Sequence, residues 1–297
     1  MRISNHCSRL IGAIVACVTL WGTTGCNDDP GTGTVVFTTW GEGYIEDGIP
    51  SDAFLDRWSV KFSKFLVAYN DVAVVDQSGK AVAKLEHALV FDLTQKAQGK
   101  PKTLASWVLD AGPWPFVSYQ VGPITANAMP GELATVQDVA LLQSEQASIR
   151  VDGTATSLTG VVKTFHWSFA PATVFQRCHG MQDGKEVEGV LVTNGGTQQV
   201  ELTVHGDHLF YDDLQSDTGG PRFQAYADAD LNQDGEVTLT ELEQVPLYTI
   251  PLEMGTYGTG ALGDVNTLGQ YVRTLARTIG HYRGEGSCSS KEVRIER

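Results

Sequence analysis

The 297-residue chain carries 21 Lys and Arg against 35 Asp and Glu, a formal net charge of −14, with 42% hydrophobic residues and 32 glycines. A chain of this length and ordinary apolar fraction can bury a full core, and its composition is neither collagen-like nor that of a disordered chain. The acidic excess repels phosphate backbones and anionic headgroups, so the basic footprint of a nucleic-acid binder is missing and no nucleic-acid partner is expected.

The first 25 residues read as an export signal. Arg2 and Arg9 stand without any acid, an apolar run follows from Leu10 to Trp21, and Gly22-Thr23-Thr24-Gly25 precedes Cys26. The apolar run is too short to cross a bilayer's hydrocarbon. The small residues before Cys26 resemble a bacterial lipobox, although Thr23 stands where that family usually has leucine. The resemblance implies cleavage before Cys26, lipidation of that cysteine and a membrane partner through the anchor. Asn27, where an aspartate would imply retention in the inner membrane, implies an outer-membrane lipoprotein on its periplasmic or cell-surface side. Residues 26–34, with two aspartates, Pro30 and glycines, read as a flexible tether.

Cleavage removes two positive charges and no negative ones, leaving 19 basic against 35 acidic residues and a net charge of −16. It also removes Cys7 and Cys17. With Cys26 lipidated, Cys178 and Cys288 remain as an even pair in an oxidising compartment, and a disulfide is expected. It would close a loop of about 110 residues, for which the chain-entropy model gives roughly 4 to 5 kcal/mol. A reactive Cys178-His179 pair is the competing reading, but nothing in the sequence shows the low pKa or access that a catalytic thiol needs.

From residue 35 to about 215 the pattern is that of strands. Trp58 to Ser63 alternates apolar with polar and runs on into Phe65 to Tyr69. Similar runs follow at 72–75, 88–93, 116–121, 161–169, 187–192 and 200–204, with Asp76-Gln77-Ser78-Gly79 and Asp183-Gly184 as turns. Frequent short strands predict an antiparallel β-sandwich. One stretch departs from this: Leu133, Val136, Val139, Ala140 and Gln143 recur at helical spacing, so a helix is expected over 133–146. Trp107, Trp114, Phe116 and Tyr119 could line a groove or lie in the core.

From residue 216 a mainly helical appendage is expected. Arg222 to Ala229 can form a short helix, and Leu268, Tyr271, Val272, Leu275, Ile279 and Tyr282 share one face of a helix over 268–282, with Asn266 or Thr267 as its cap and Gly284 beyond its end. Between them Asp230-Leu231-Asn232-Gln233-Asp234-Gly235-Glu236-Val237-Thr238-Leu239-Thr240-Glu241 resembles the EF-hand loop at every diagnostic position. Asp230, Asn232 and Asp234 stand at positions one, three and five, and Gly235 makes the turn at six. Glu236 offers a backbone carbonyl at seven, Thr238 stands at nine, and Glu241 is the bidentate carboxylate at twelve. The resemblance implies calcium as cofactor. Pro246 cuts the exiting helix short and no second loop is visible, so the ion is expected to be structural rather than to work a switch.

A second cluster, His205-Gly206-Asp207-His208 with Asp212 and Asp213 close behind, ends a strand. Along a continuous strand His205 and His208 would face opposite sides, so they converge only if Gly206-Asp207 makes a turn. Both readings stay open: a transition-metal site on His205, His208 and Asp207, or a hydrogen-bonded structural corner. His166 alternates away from Phe165 and Trp167, and His87, His179 and His281 have no supporting ligands near them in sequence. The nucleophile elbow, the phosphate-binding glycine loop and the dinucleotide fingerprint are all missing, and paired carboxylates such as Glu42 and Glu46 near Trp40 carry no weight alone, so no enzyme is expected.

The signal, the strand running into D-V-x-V-V-D-x-x-G at 71–79, V-F-D-L-T at 90–94 and His-x-x-His at 205–208 look like the periplasmic metal-associated β-sandwich proteins of the methanobactin partner family, without that family's cysteine pattern. The resemblance implies copper or zinc handling, as the alternative to a calcium-binding lipoprotein with a structural or binding role.

Overall fold

The computed structural model describes residues 30–96, 100–182, 184–214 and 219–292; the signal, Cys26 and residues 27–29 of the tether lie outside the described residues. The fold is mainly β and sandwich-like. A four-stranded sheet packs on a larger, curled one, and both turn their buried faces to one core.

The first strand, β1 (Thr32–Trp40), begins inside the segment expected to be tether. Gly33 is the reason it can: a Cβ there would stand 2.3 Å from the Thr193 carbonyl oxygen, so only glycine lets the two backbones approach this closely. The chain then makes the one-turn helix α1 (Glu42–Glu46) and the long strand β2 (Ser59–Val75), followed by β3 (Leu89–Asp92), β4 (Lys102–Asp110) and β5 (Phe116–Val121). Phe65 to Tyr69 loses the apolar alternation because both faces of β2 are covered there. Phe65, Val67 and Tyr69 point into the main core, while Leu66 and Ala68 meet Val139 and Leu142 of helix α2 (Val136–Glu145).

That helix is shorter than expected, and the expected apolar face is corrected. Thr135 caps it, with Asp138 completing the capping box, and Leu133 and Val136 are exposed. Its buried side is Asp138, Val139 and Leu142, because Lys64 of β2 reaches up to Asp138 at 2.6 Å and to Asp92 at 3.2 Å. Of the expected face only Val139 is buried, packing with Leu142 on Leu66 and Ala68 beside that ion pair.

Strands β6 (Ile149–Thr156), β7 (Val162–Phe169) and β8 (Thr173–Gln182) continue the large sheet in the order β8-β5-β2-β6-β7. Their neighbours are antiparallel, and β6 alternates buried with half-buried along its whole length. The expected strand over 187–192 is two short strands, Lys185–Glu188 and Val190–Val192, broken at Gly189, whose φ of +64° turns the chain toward Trp114. Strand β9 (Thr197–Val204) lies parallel to β1 in the small sheet, a departure from a purely antiparallel sandwich.

The C-terminal part is less helical than its pattern promised. It holds α3 (Gln224–Asp228), the two-residue strand β10 (Glu236–Val237), α4 (Leu239–Leu242), α5 (Leu268–Leu275), β11 (Gly280–Tyr282) and β12 (Ser287–Glu292). Thr267 caps α5 as expected, but the helix stops at Leu275. Ile279 and Tyr282 are buried from a turn and a strand instead, since β11 pairs with β9. Gly280 makes that return possible, its missing Cβ lying 2.9 Å from Phe175 and from the Tyr119 hydroxyl. Each of the three late strands joins an existing sheet, β10 on β7, β11 on β9 and β12 on β8. Phe223, Tyr226, Val237, Tyr271 and Tyr282 share the core of Phe165 and Trp167. A disulfide joins Cys178 of β8 to Cys288 of β12. Tyr119 stacks on Phe175 and Trp107 packs edge-on against Phe37, so these aromatics serve the core side of the alternatives.

Candidate functional site: a histidine centre and an acidic loop

The end of β9 builds the first site. The strand stops at Val204, the His205 amide donates to the Ile279 carbonyl at 2.9 Å, and residues 207–210 form a single 3-10 turn. This turn rotates His208 back toward His205. Gly206 is required, because a Cβ there would lie 2.7 Å from the Ile45 side chain of α1. The register of β11 on β9 sets His281 opposite Thr203, beside His205. A tight turn with Arg283 at φ +51° and Gly284 at φ +75° then carries Glu285 back over the same place.

Three imidazoles therefore meet. Their ring centroids lie 4.3 Å apart for His205 and His281, 4.9 Å for His208 and His281, and 5.2 Å for His205 and His208. Ligand atoms of His205, His281 and Glu285 fall within 4.8 Å of one another, as do those of His205, Asp207 and His208. His281, read from its sequence neighbours as unsupported, belongs to the centre. Only the pairing of two strands distant in sequence could have revealed that. Asp212 does not join; it turns away to Arg222 at 2.6 Å and to the Gly220 amide at 3.0 Å.

The electrostatics suit ligation. His208 Nδ1 sits 3.1 Å from the Thr278 carbonyl, which can only accept, so the proton is on Nδ1 and the Nε2 lone pair is free. Burial pulls His208 below the usual histidine pKa, opposed by the Asp207 carboxylate. Burial and the two neighbouring rings pull His281 down to about 4, so it is neutral at physiological pH. Asp207 accepts a hydrogen bond from the Tyr211 hydroxyl at 3.0 Å, and burial with that carboxylate pushes the phenol upward. His205 is 7% exposed, and its Nε2 is buried without a hydrogen-bond partner. A buried imidazole nitrogen left unmatched is costly unless something else engages it. Neutral imidazoles beside carboxylates form a donor set suited to zinc, copper or similar first-row ions.

The second site is the loop from Asp230 to Glu241. Gln233 at φ +61° and Gly235 at φ +89° fold it into consecutive side-chain-to-backbone turns. Asp230 accepts from the Asp234 amide at 3.2 Å and the Gly235 amide at 2.9 Å; Asn232 accepts from the Asp234 amide at 2.9 Å, and Asp234 from the Glu236 amide at 2.8 Å. Glu241 reaches back with Oε1 to the Leu231 amide at 3.1 Å, while its Oε2 caps α4 through Thr238. The loop is docked rather than free. β10 runs parallel to Thr164–Phe165 of β7, and the Trp167 indole donates to the Val237 carbonyl at 2.8 Å.

One cation is already at the loop. The Lys163 ammonium of β7 lies 2.5 Å from Asp230 Oδ2 and, ahead of the backbone donors, holds that carboxyl below its ordinary pKa. A calcium ion taking Asp230 as its first ligand must work against this charge, a repulsion of about 1.4 kcal/mol even with the ammonium swung about 6 Å away into water-like dielectric. Lys163→Gln is thus expected to tighten calcium binding about tenfold by isothermal titration. Unchanged or weaker binding would show that Lys163 does not compete.

The other histidines among the described residues are engaged elsewhere: His166 with Asp152 at 3.1 Å, His179 with Glu186 at 2.8 Å, and His87 with Asn127 at 3.0 Å. Among the described residues no helix is long and apolar enough to cross a membrane.

No family model and no curated protein matches the chain. Among solved structures it is similar to MbnP from Methylosinus trichosporium, at 13% identity and a TM-score of 0.31, over 58% of this chain and 75% of that one. A likeness that distant leaves the reading of the site to its own side chains.

Proposed function

We propose that this chain is an exported, lipid-anchored metal-binding protein of the bacterial envelope. The ion at its centre is a first-row transition metal, copper or zinc, held by His205, His208 and His281 with Asp207 and Glu285. The observation that carries this reading is the convergence of three imidazoles from separate segments around the unpartnered Nε2 of His205. A structural corner would satisfy its buried nitrogen with a hydrogen bond; a ligand leaves its lone pair for the ion. The role is binding or delivery rather than catalysis.

Elemental analysis and isothermal titration of the purified protein test it. About one copper or zinc per chain is expected, lost in His281→Ala and in His208→Ala. A protein that takes up neither metal, or binds it equally well with both histidines replaced, would overturn the reading.

A calcium ion on Asp230, Asn232, Asp234, the Glu236 carbonyl and Glu241 is the second reading. The left-handed Gln233 and Gly235 and the inward turn of Glu241 favour it. In an extracytoplasmic compartment this ion is structural, holding the segment that links the two halves of the histidine centre.

A further inference from the structure

The reading of a transition-metal centre leaves one neighbouring carboxylate unexplained. Glu42 begins α1, far from the histidines in sequence, yet its Oε1 stands 3.6 Å from His205 Nε2. That is too long for a hydrogen bond. It is close to the roughly 3.3 Å that separates two ligand atoms of one tetrahedral ion with bonds of about 2.0 to 2.1 Å.

The backbone shows the same purpose. Glu42 has φ +54°, a left-handed conformation that a side chain bearing a Cβ rarely adopts, and no αL-tolerant Asn or Gly stands there. Its surroundings hold it so. Ile45 is buried against Gly206, the Trp40 indole donates to Glu46 at 3.1 Å, and Gly41 fits where a Cβ would lie 2.9 Å from Leu93. The packing therefore aims Glu42 at the buried Nε2 of His205, which with His281 Nδ1 is one of the two unpartnered nitrogens at the centre.

We propose that Glu42 is a ligand of the histidine centre, supplying a carboxylate oxygen from α1 across from the imidazoles. The centre then draws on three separate parts of the chain, α1, the turn after β9 and β11. The strained helix start is kept because the carboxylate must reach the ion. This proposal rests on the transition-metal reading above.

The test is cobalt(II) titration of the full mature chain, read by visible d–d absorption and by competition for affinity. Two variants are used. Glu42→Gln keeps the shape and removes the charge; Glu42→Gly accepts φ +54° without strain and removes the ligand. Both are expected to weaken cobalt binding at least tenfold and to shift the absorption bands, while the metal-free melting temperature falls by no more than about a degree. Affinity and bands unchanged in both variants would overturn the proposal while leaving the histidine centre standing. A loss of metal-free stability with an unchanged spectrum would assign Glu42 a structural role and also overturn it. No cobalt uptake by the parent chain would overturn the histidine centre itself.

Discussion

Removing calcium with EDTA is expected to lower the melting temperature of the mature chain by roughly 8 to 15 °C, and Glu241→Gln is expected to reproduce the loss without chelator. Five acids stand between Asp228 and Glu241, and Lys163 on Asp230 is the ion pair formed with a loop ligand among the described residues. Such carboxylates repel one another unless a divalent cation lies among them. A site with free calcium near a thousand times its dissociation constant contributes about 4 kcal/mol, which for a chain of this size is a shift of that order. The effect should not stop at the loop. His205 and His208 precede it and His281 follows it, with α5 and the Thr278 carbonyl on His208 between. Calcium-free protein should therefore also bind zinc or copper less tightly. Melting unchanged by both EDTA and Glu241→Gln would sink the structural role of the ion.

The second large effect is expected from the disulfide. Replacing Cys178 and Cys288 together with alanine should cost about 4 to 5 kcal/mol in urea unfolding, since the bond spans 110 residues and the denatured chain regains that loop's freedom. The closed loop contains both the Asp230–Glu241 segment and the three clustered histidines. β12, carrying Cys288, lies just beyond Glu285 and pairs with β8, so the loss should be accompanied by weaker metal binding through a loosened β11 turn. A double variant that unfolds at the same urea concentration as the parent would contradict the entropic account.

Some of this architecture was legible along the chain because its cause is local. The segment from Asp230 to Glu241 carries its own turn residues, and the structure folds it through Gln233 and Gly235 with the capping box on Glu241. Strand alternation is likewise local, and β6 keeps it from end to end. Where burial came from a partner, the pattern misled. Ile279 and Tyr282 continue the spacing of α5 but are buried by strand pairing, and Lys102 stands at the start of β4 with only 1% exposure, masking that strand's alternation. β1 was hidden because Thr32 to Thr34 resemble a linker until Gly33 is seen pressed against another backbone.

The histidine centre divides along the same line. By itself the sequence determined only that His205, Asp207 and His208 lie together at the end of a strand and converge if Gly206-Asp207 turns; it left the metal site and the structural corner both open. Tertiary structure alone decided that His281 and Glu285 belong with it, and that Glu42 faces it. Their places follow from the register of β11 on β9 and from the fit of Ile45 over Gly206. Register is a sum of many backbone hydrogen bonds and buried contacts across the sandwich, and no short stretch of residues contains it.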